Sequence, residues 1–274
     1  MIPELSLNFE QVRTLLSRFV REEIQKTGLE RAVIGLSGGI DSALVAYLTV
    51  EALGAERVHC IRMPYETSSA DSLSDAQAVI DDLGCSHETV DITAMAKPFF
   101  ALDPKMDNVR MGNVMARLRM VVLYDRSAKL QSLVVGTGNK TEMLLGYSTL
   151  FGDSAYAINP IGDLYKTQVF ALSQLVGVPD SILKKPPSAD LWSGQTDEQE
   201  LGFTYEEIDK LLYFMVDTRA SDTELMELGF EETFIASIRR RMKSQQFKRM
   251  PAVIAKVGSR TINTDYRYPR DWNM

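Results

Sequence analysis

Thiols are almost absent from this chain. Cys60 and Cys85 are the only two among 274 residues. That excludes the disulfide framework of a small secreted domain, and no Cys-x-x-Cys spacing is present for zinc or dithiol chemistry. Both read as small core residues in a reducing cytosol. Long apolar runs are also missing: no uninterrupted stretch reaches the length that spans a bilayer. Residues Met1 to Asn8 lack a basic region followed by an apolar run, so no signal peptide is expected and the expected location is cytoplasmic. Positive charge is in short supply, with 30 Lys and Arg against 37 Asp and Glu, a net charge of −7. An acidic balance argues against broad contact with nucleic acid, which needs basic surface to displace counterions. It leaves room for a phosphate-rich small ligand in a locally basic pocket.

What is present is an ordinary globular composition, 45% hydrophobic and 24% charged, enough for a sizeable core without a disulfide or structural metal. Internal repeats, low-complexity tracts and a clean domain boundary are not seen, so residues 1–274 are read as one domain, with a tail of about 259–274 that matches no known block. Apolar residues from Phe9 to Ile24 follow helical spacing, and Gly28 is expected to stop the helix. Strands are predicted at Ala32–Leu36, Arg57–Met63, His87–Ile92 and Leu133–Val135. Helices are predicted at Asp41–Leu53, Asp71–Leu83 and Val109–Leu130. The alternation implies an α/β fold, a Rossmann-like parallel sheet with helices on both faces. From Lys166 onward the pattern is helical, with helices near Thr167–Val176, Tyr205–Met215, Thr223–Leu228 and Glu231–Lys243. Between them Lys184–Gly202, with Pro186-Pro187, Gly194 and an acidic run, reads as a long mobile loop and a candidate lid.

Two glycine-rich segments fall at strand ends, where ligands bind in such sheets. The first is Gly35-Leu36-Ser37-Gly38-Gly39-Ile40-Asp41-Ser42. Small residues allow close backbone approach to a phosphate, a helix N-terminus binds the anion, and Ser37 and Ser42 add hydroxyls. Asp41 would repel phosphate by itself, which points to a bridging Mg2+. The blander alternative is a glycine turn with Asp41 as a helix cap. No Gly-Lys-Ser/Thr follows, so this is not a Walker A loop. The second segment is Val135-Gly136-Thr137-Gly138-Asn139-Lys140-Thr141-Glu142.

The first string resembles the pyrophosphatase loop of the ATP-pyrophosphatase superfamily, whose members split ATP between the α and β phosphates and transfer AMP. The second, with Gly146-Tyr147, Phe151-Gly152-Asp153, Gly112 to Met120, Leu164 to Thr167, Pro187 to Leu191 and Phe247-Lys248-Arg249, resembles the ammonia-dependent NAD synthetase family. The blocks keep the family's order over about residues 9–254. The resemblance implies adenylation of the nicotinate carboxylate of deamido-NAD by ATP, then displacement of AMP by ammonia. It implies that Gly35, Leu36, Ser37, Gly38, Gly39, Ile40, Asp41 and Ser42 hold ATP, with Arg62, Thr137, Lys166 and Ser188. It further implies that Asp41 and Glu142 hold Mg2+, that Asp41, Lys166 and Asp153 serve catalysis, with Asp153 a candidate for receiving ammonia, and that Arg117 and Lys248 reach deamido-NAD. Arg119, two residues from Arg117, is expected to point elsewhere.

Three positions depart from the family pattern. Leu150, Ala157 and Phe247 stand where many members carry lysine, aspartate and histidine at the deamido-NAD site. No glutaminase block is present, so ammonia is expected free or from a separate partner. The family pattern implies a homodimer, with the N-terminal helix and Val109–Leu130 as candidate contacts. Three alternatives stand beside this reading: a GMP synthetase-like ligase, a non-catalytic adenine-nucleotide sensor, and a tRNA-modifying adenylase, against which the acidic balance argues.

Overall fold

Asn8 starts the first helix: its side-chain oxygen accepts the Gln11 N–H at 3.1 Å, and α1 (Phe9–Gln25) runs until Gly28 takes a left-handed conformation. The computed structural model describes residues 3–188, 196–262 and 264–266. After α1 come β1 (Arg31–Gly35), α2 (Ile40–Leu53), β2 (Val58–Arg62), α3 (Ala70–Leu83), β3 (Ser86–Thr89), α4 (Thr93–Phe100), α5 (Asn108–Leu130) and β4 (Ser132–Val134). The strands form one parallel sheet in the order β3-β2-β1-β4.

The strands sort their side chains by the period of two that a pleated backbone imposes. Ala32, Ile34, Val58 and Cys60 face a core shared with α1, α2 and α3. Val33, Ile61 and Val134 face the opposite core with α4 and α5, against Ile92, Ala96, Met115 and Val122. Both faces are therefore covered, as all-parallel sheets require. The central helix α2 is apolar almost all round because it lies under other helices as well as on the sheet.

The rest of the chain is helical: α6 (Lys140–Leu145), α7 (Lys166–Val176), α8 (Asp180–Leu183), α9 (Asp197–Leu201), α10 (Tyr205–Leu212), α11 (Asp222–Glu227) and α12 (Glu232–Ser244). While α7 and α8 return to the sheet core, the others build a third core from Leu145, Tyr165, Ile208, Leu211, Leu225, Ile235 and Ile238. The α/β sheet with a helical C-terminal part agrees with the expected fold class.

Three segments differ from expectation. Helix α4 was not foreseen; Pro98 sits inside it, and Asp91 supports its start by accepting the Thr93 N–H at 2.7 Å. The helix expected to reach Met215 ends at Leu212 and widens into a π turn over Tyr213–Asp217. That turn delivers Asp217 to Lys140 Nζ at 2.9 Å and to the Tyr165 hydroxyl. The segment read as one loop, Lys184–Gly202, ends in helix α9, pinned where the Asp197 N–H donates to the Pro187 carbonyl at 2.9 Å and Glu198 accepts the Tyr205 N–H at 2.8 Å. Residues 189–195 of that segment, including Asp190 and Leu191, lie outside the described residues, as does most of the C-terminal tail with Tyr268 and Trp272.

Asp209 locks the helical part to the sheet part. It is fully buried on α10, accepts the Thr141 hydroxyl of α6 at 2.5 Å and accepts the Thr167 N–H of α7 at 2.7 Å. Asp209→Ala leaves two buried donors without an acceptor, so it is expected to lower the unfolding free energy by about 3 kcal/mol. Urea denaturation checks this, and an unchanged midpoint would contradict the assignment.

Candidate active site

Strand order places the site. β2 and β3 lie to one side of β1 and β4 to the other, so the connections leaving the carboxyl ends of β1 and β4 part there and open a crevice. Both glycine-rich segments emerge at this switch point. The first turns through Gly38 at φ +81°, and a Cβ there would lie 2.1 Å from the Ser72 carbonyl oxygen. Only glycine fits both the conformation and the close approach. Helix α2 then begins behind Gly39 without a side-chain cap. Its first N–H groups have no intrahelical acceptor and present the positive end of a 14-residue helix to the crevice. The loop hydroxyls brace one another: Ser42 Oγ accepts the Ser37 N–H at 3.2 Å and lies 3.0 Å from Ser37 Oγ.

The second segment leads into α6 through a capping box. Asn139 accepts the Glu142 N–H at 2.9 Å, and Glu142 accepts the Asn139 N–H at 3.1 Å. This fixes two side chains the site uses. Asn139 Nδ2 donates to Asp41 Oδ1 at 2.9 Å, joining the two glycine-rich segments. Lys166, the first residue of α7, completes the centre. Its ammonium donates to Asp41 and stands 3.5 Å from Glu142 Oε1, over the Tyr205 ring at 5.2 Å. Burial pulls its pKa down, but Asp41 and Glu142 outweigh this and hold it above the ordinary lysine value. Burial and the Asp41 charge push the Glu142 carboxyl up to about 8.

A cavity of about 1120 Å³ opens over this centre. That is roomy for one ligand of ordinary size, for which about 300–1,000 Å³ is usual. Its wall carries a residue that sequence reasoning placed in a loop. Asp197 of α9 is buried, accepts the Tyr205 hydroxyl at 3.0 Å and the Tyr147 hydroxyl at 3.2 Å, and burial raises its pKa. Two cations hold the end of α6: Arg241 on α12, which sequence reasoning passed over, and Arg249 in the turn Gln246–Arg249, part of a block that carried the family resemblance. Arg249 donates to the Met143 and Leu144 carbonyls at 2.9 and 2.7 Å, and Arg241 to the Leu145 carbonyl at 3.1 Å. These are the orphan carbonyls at the end of α6. The clamp therefore holds the helix that carries Glu142. Arginines on a polar helix give no sign, in sequence alone, of which carbonyls they cap.

Of the residues expected at the site, Gly35 to Ser42, Arg62, Thr137, Glu142, Asp153, Lys166, Ser188 and Lys248 line the cavity. Arg62 donates to Gln77 at 2.6 Å, and its buried Nε has no partner among the described residues. Asp153 faces the cavity while one carboxylate oxygen accepts the Thr149 N–H at 2.7 Å; burial raises its pKa. Lys248 donates to the Gly146 and Ser148 carbonyls at 2.7 and 2.6 Å. Arg117, Leu150, Ala157 and Phe247 do not line this cavity. Arg117 is exposed and its Nε donates to the Leu150 carbonyl at 3.3 Å, and Phe247 is 57% exposed. Arg119 does line it, with Nε donating to the Met63 carbonyl at 3.0 Å. Among the described residues no group of three His, Cys, Asp or Glu side chains could by itself hold a metal ion, and no helix is long and apolar enough to cross a membrane.

The family model described as NAD synthase matches residues 12–252. An NH(3)-dependent NAD(+) synthetase from Trichlorobacter lovleyi is 55% identical over 268 residues, covering 98% of both chains. Among solved structures, an NH3-dependent NAD synthetase from Campylobacter jejuni in complex with nitrate superposes with a TM-score of 0.78 at 34% identity, covering 91% of this chain and 100% of that one. An NMN synthetase from Francisella tularensis superposes with a TM-score of 0.81 at 33% identity, covering 91% and 99%.

The raised Glu142 pKa has a thermodynamic consequence. The unfolded chain releases this proton near 4.5 and the folded chain near 8, so Glu142-linked stability is present below about 4.5 and is lost as pH rises to about 8. Glu142→Gln cannot ionise. In thermal melts of ligand-free protein it is expected to flatten the decline across that window and to melt above the parent at its upper end. Parallel pH profiles for the two proteins would contradict the assigned environment.

Proposed function

The chain belongs to the NAD synthase family, and on that premise we propose that it is an ammonia-dependent NAD synthetase that works in the cytoplasm. The observation that carries this reading is the convergence of Asp41, Glu142 and Lys166 at the switch point, beside an uncapped helix N-terminus. ATP lies in the crevice with its phosphates against the N–H groups of Gly35 to Ser42. Arg62, Thr137 and Ser188 make further nucleotide contacts. The nicotinate carboxylate of deamido-NAD attacks the α-phosphorus, the bond to the β-phosphate breaks, and diphosphate leaves. Ammonia then attacks the acyl carbon and releases AMP, its spare proton passing to a base in the cavity wall; Asp153 is placed to orient it. Most of the rate comes from positioning and from fixed dipoles aimed at developing charge.

The residues fit a Mg2+ ion. Asp41 and Glu142 come from separate elements and both approach the Lys166 ammonium; two hard carboxylates brought together in this way would hold the ion beside a phosphate chain. When bound there, the ion would neutralise phosphate charge and polarise the phosphoryl oxygens. Lys166 holds the two carboxylates apart and in place, because its own charge is already answered by them.

A homodimer is part of the proposal. On α5, Val109, Val121 and Tyr124 are 62%, 53% and 40% exposed, and Phe151 nearby is 66% exposed in a left-handed conformation; on α1, Leu15 is 64% exposed. Arg117 lies on the outer side of α5, outside the cavity. Its expected contact with deamido-NAD therefore requires the dinucleotide to extend out of the crevice along α5, where a partner subunit would enclose it.

A second reading keeps the chemistry and shortens the acceptor to nicotinate mononucleotide. The likeness to the Francisella NMN synthetase favours it, as does the position of Leu150, Ala157 and Phe247 outside the cavity. The test is AMP and amide production from ATP, Mg2+ and an ammonium salt, with deamido-NAD or nicotinate mononucleotide as acceptor and glutamine as alternative nitrogen source. AMP and NAD are expected in equal amounts with ammonium and little with glutamine, and kcat/KM is expected to be higher for deamido-NAD. A higher value for the mononucleotide would establish the second reading. AMP without amide would contradict both.

A further inference from the structure

The lysines at 184 and 185 are neighbours in sequence with opposite surroundings. Lys184 is 77% exposed and pairs with Asp180 one helical turn away, an ordinary surface contact. Lys185 turns inward and lines the cavity. Its Nζ donates to Ser72 Oγ at 3.0 Å and to Asp75 Oδ2 at 3.0 Å, where the Asp75 side chain is only 11% exposed. Ser72 belongs to the first turn of α3, and its carbonyl is the one against which Gly38 packs. The ammonium is therefore fixed one residue away from the glycine loop.

The charges around that loop leave a phosphate chain short of cations. Asp41 is part of the loop, Glu142 and Asp197 stand behind it, and Lys166 is shared between Asp41 and Glu142. Among these four groups a triphosphate meets three carboxylates and one ammonium. Lys185 is a cation beside the loop whose partner belongs to α3 and not to the catalytic centre. A lysine also has the right mechanics: a compact charge on a four-carbon stem can swing between two anions without moving the backbone.

We propose that Lys185 is a phosphate-binding residue of this site, paired with Asp75 in this structure and exchanging that carboxylate for phosphate oxygens when ATP binds. The proposal rests on the nucleotide reading given above. It assigns Asp75 the role of holding the ammonium near the loop while competing with the phosphates for it. The two partners then have opposite effects on phosphate affinity, which a purely structural tie between α3 and the segment after α8 would not produce.

The experiment compares Lys185→Met and Asp75→Asn with the parent in steady-state kinetics, with product inhibition by inorganic pyrophosphate and a thermal melt of each. Lys185→Met is expected to raise the KM for ATP and weaken pyrophosphate inhibition by about tenfold, as loss of one charge-assisted contact does. Its KM for the nicotinate substrate should stay within about twofold. Asp75→Asn, which releases the ammonium, is expected to tighten pyrophosphate inhibition. Both variants weakening pyrophosphate binding together, with matching losses in melting temperature, would overturn the proposal and leave a structural tie. An unchanged KM for ATP in Lys185→Met would overturn it as well. Failure of the underlying nucleotide reading is distinguishable, because the parent protein would then turn over no ATP.

Discussion

The rest of the site depends on one ammonium group held between two carboxylates. Lys166 reaches Asp41 from the β1 loop and Glu142 from the β4 side, so three distant stretches of chain meet at a single charge. Such a centre is expensive to bury, since each ion loses its water, and a well-packed apolar cluster of the same volume would serve stability as well or better. Its place at the mouth of a cavity, beside an uncapped helix N-terminus, accounts for it as a working part. Removing Lys166 would leave two carboxylates facing one another in a dry setting.

The supports around this centre are graded. Asn139 joins the two glycine-rich segments through Asp41, the capping box fixes Glu142 on α6, and Asp209 ties α6 to α7 through Thr141 and Thr167. Arg241 and Arg249 hold the far end of α6. Each contact is worth little singly. Together they over-determine the position of the groups proposed to meet a phosphate chain, which is the condition for catalysis by preorganised charge. The parallel sheet contributes a fixed crevice, and the helical C-terminal part closes one side of it.

Much of this was legible in the sequence because local rules and global fold agree. The strands are short apolar runs, the helices are periodic, and the glycine-rich strings stand at strand ends; predicted boundaries differ from observed ones by a few residues at most, as with His87–Ile92 against Ser86–Thr89. The convergence of Asp41 with Glu142 came from family likeness, since no periodicity links residues so far apart. Three kinds of feature stayed hidden. Pro98 masks α4, because proline inside a helix reads as a break. Asp197 sits in an acidic run that looks like solvated loop, and its burial depends on Tyr147 and Tyr205 folding over it. Arg241, Arg249 and Lys185 act through backbone carbonyls, or through a carboxylate on another element, that no sequence spacing reveals. Arg117 and Arg119 show the same limit: helical spacing separates their directions, and only the fold shows that Arg119 is the one facing the cavity.

The central claim is that Asp41 and Glu142 form one cation-dependent phosphate site around Lys166. Calorimetric titration of ATP with and without Mg2+, in the parent and in the double variant Asp41→Asn, Glu142→Gln, tests it most directly. The account predicts that Mg2+ strengthens ATP binding to the parent and that this gain disappears in the double variant while the protein stays folded. A Mg2+-dependent gain that survives the loss of both carboxylates would place the cation elsewhere and contradict the account.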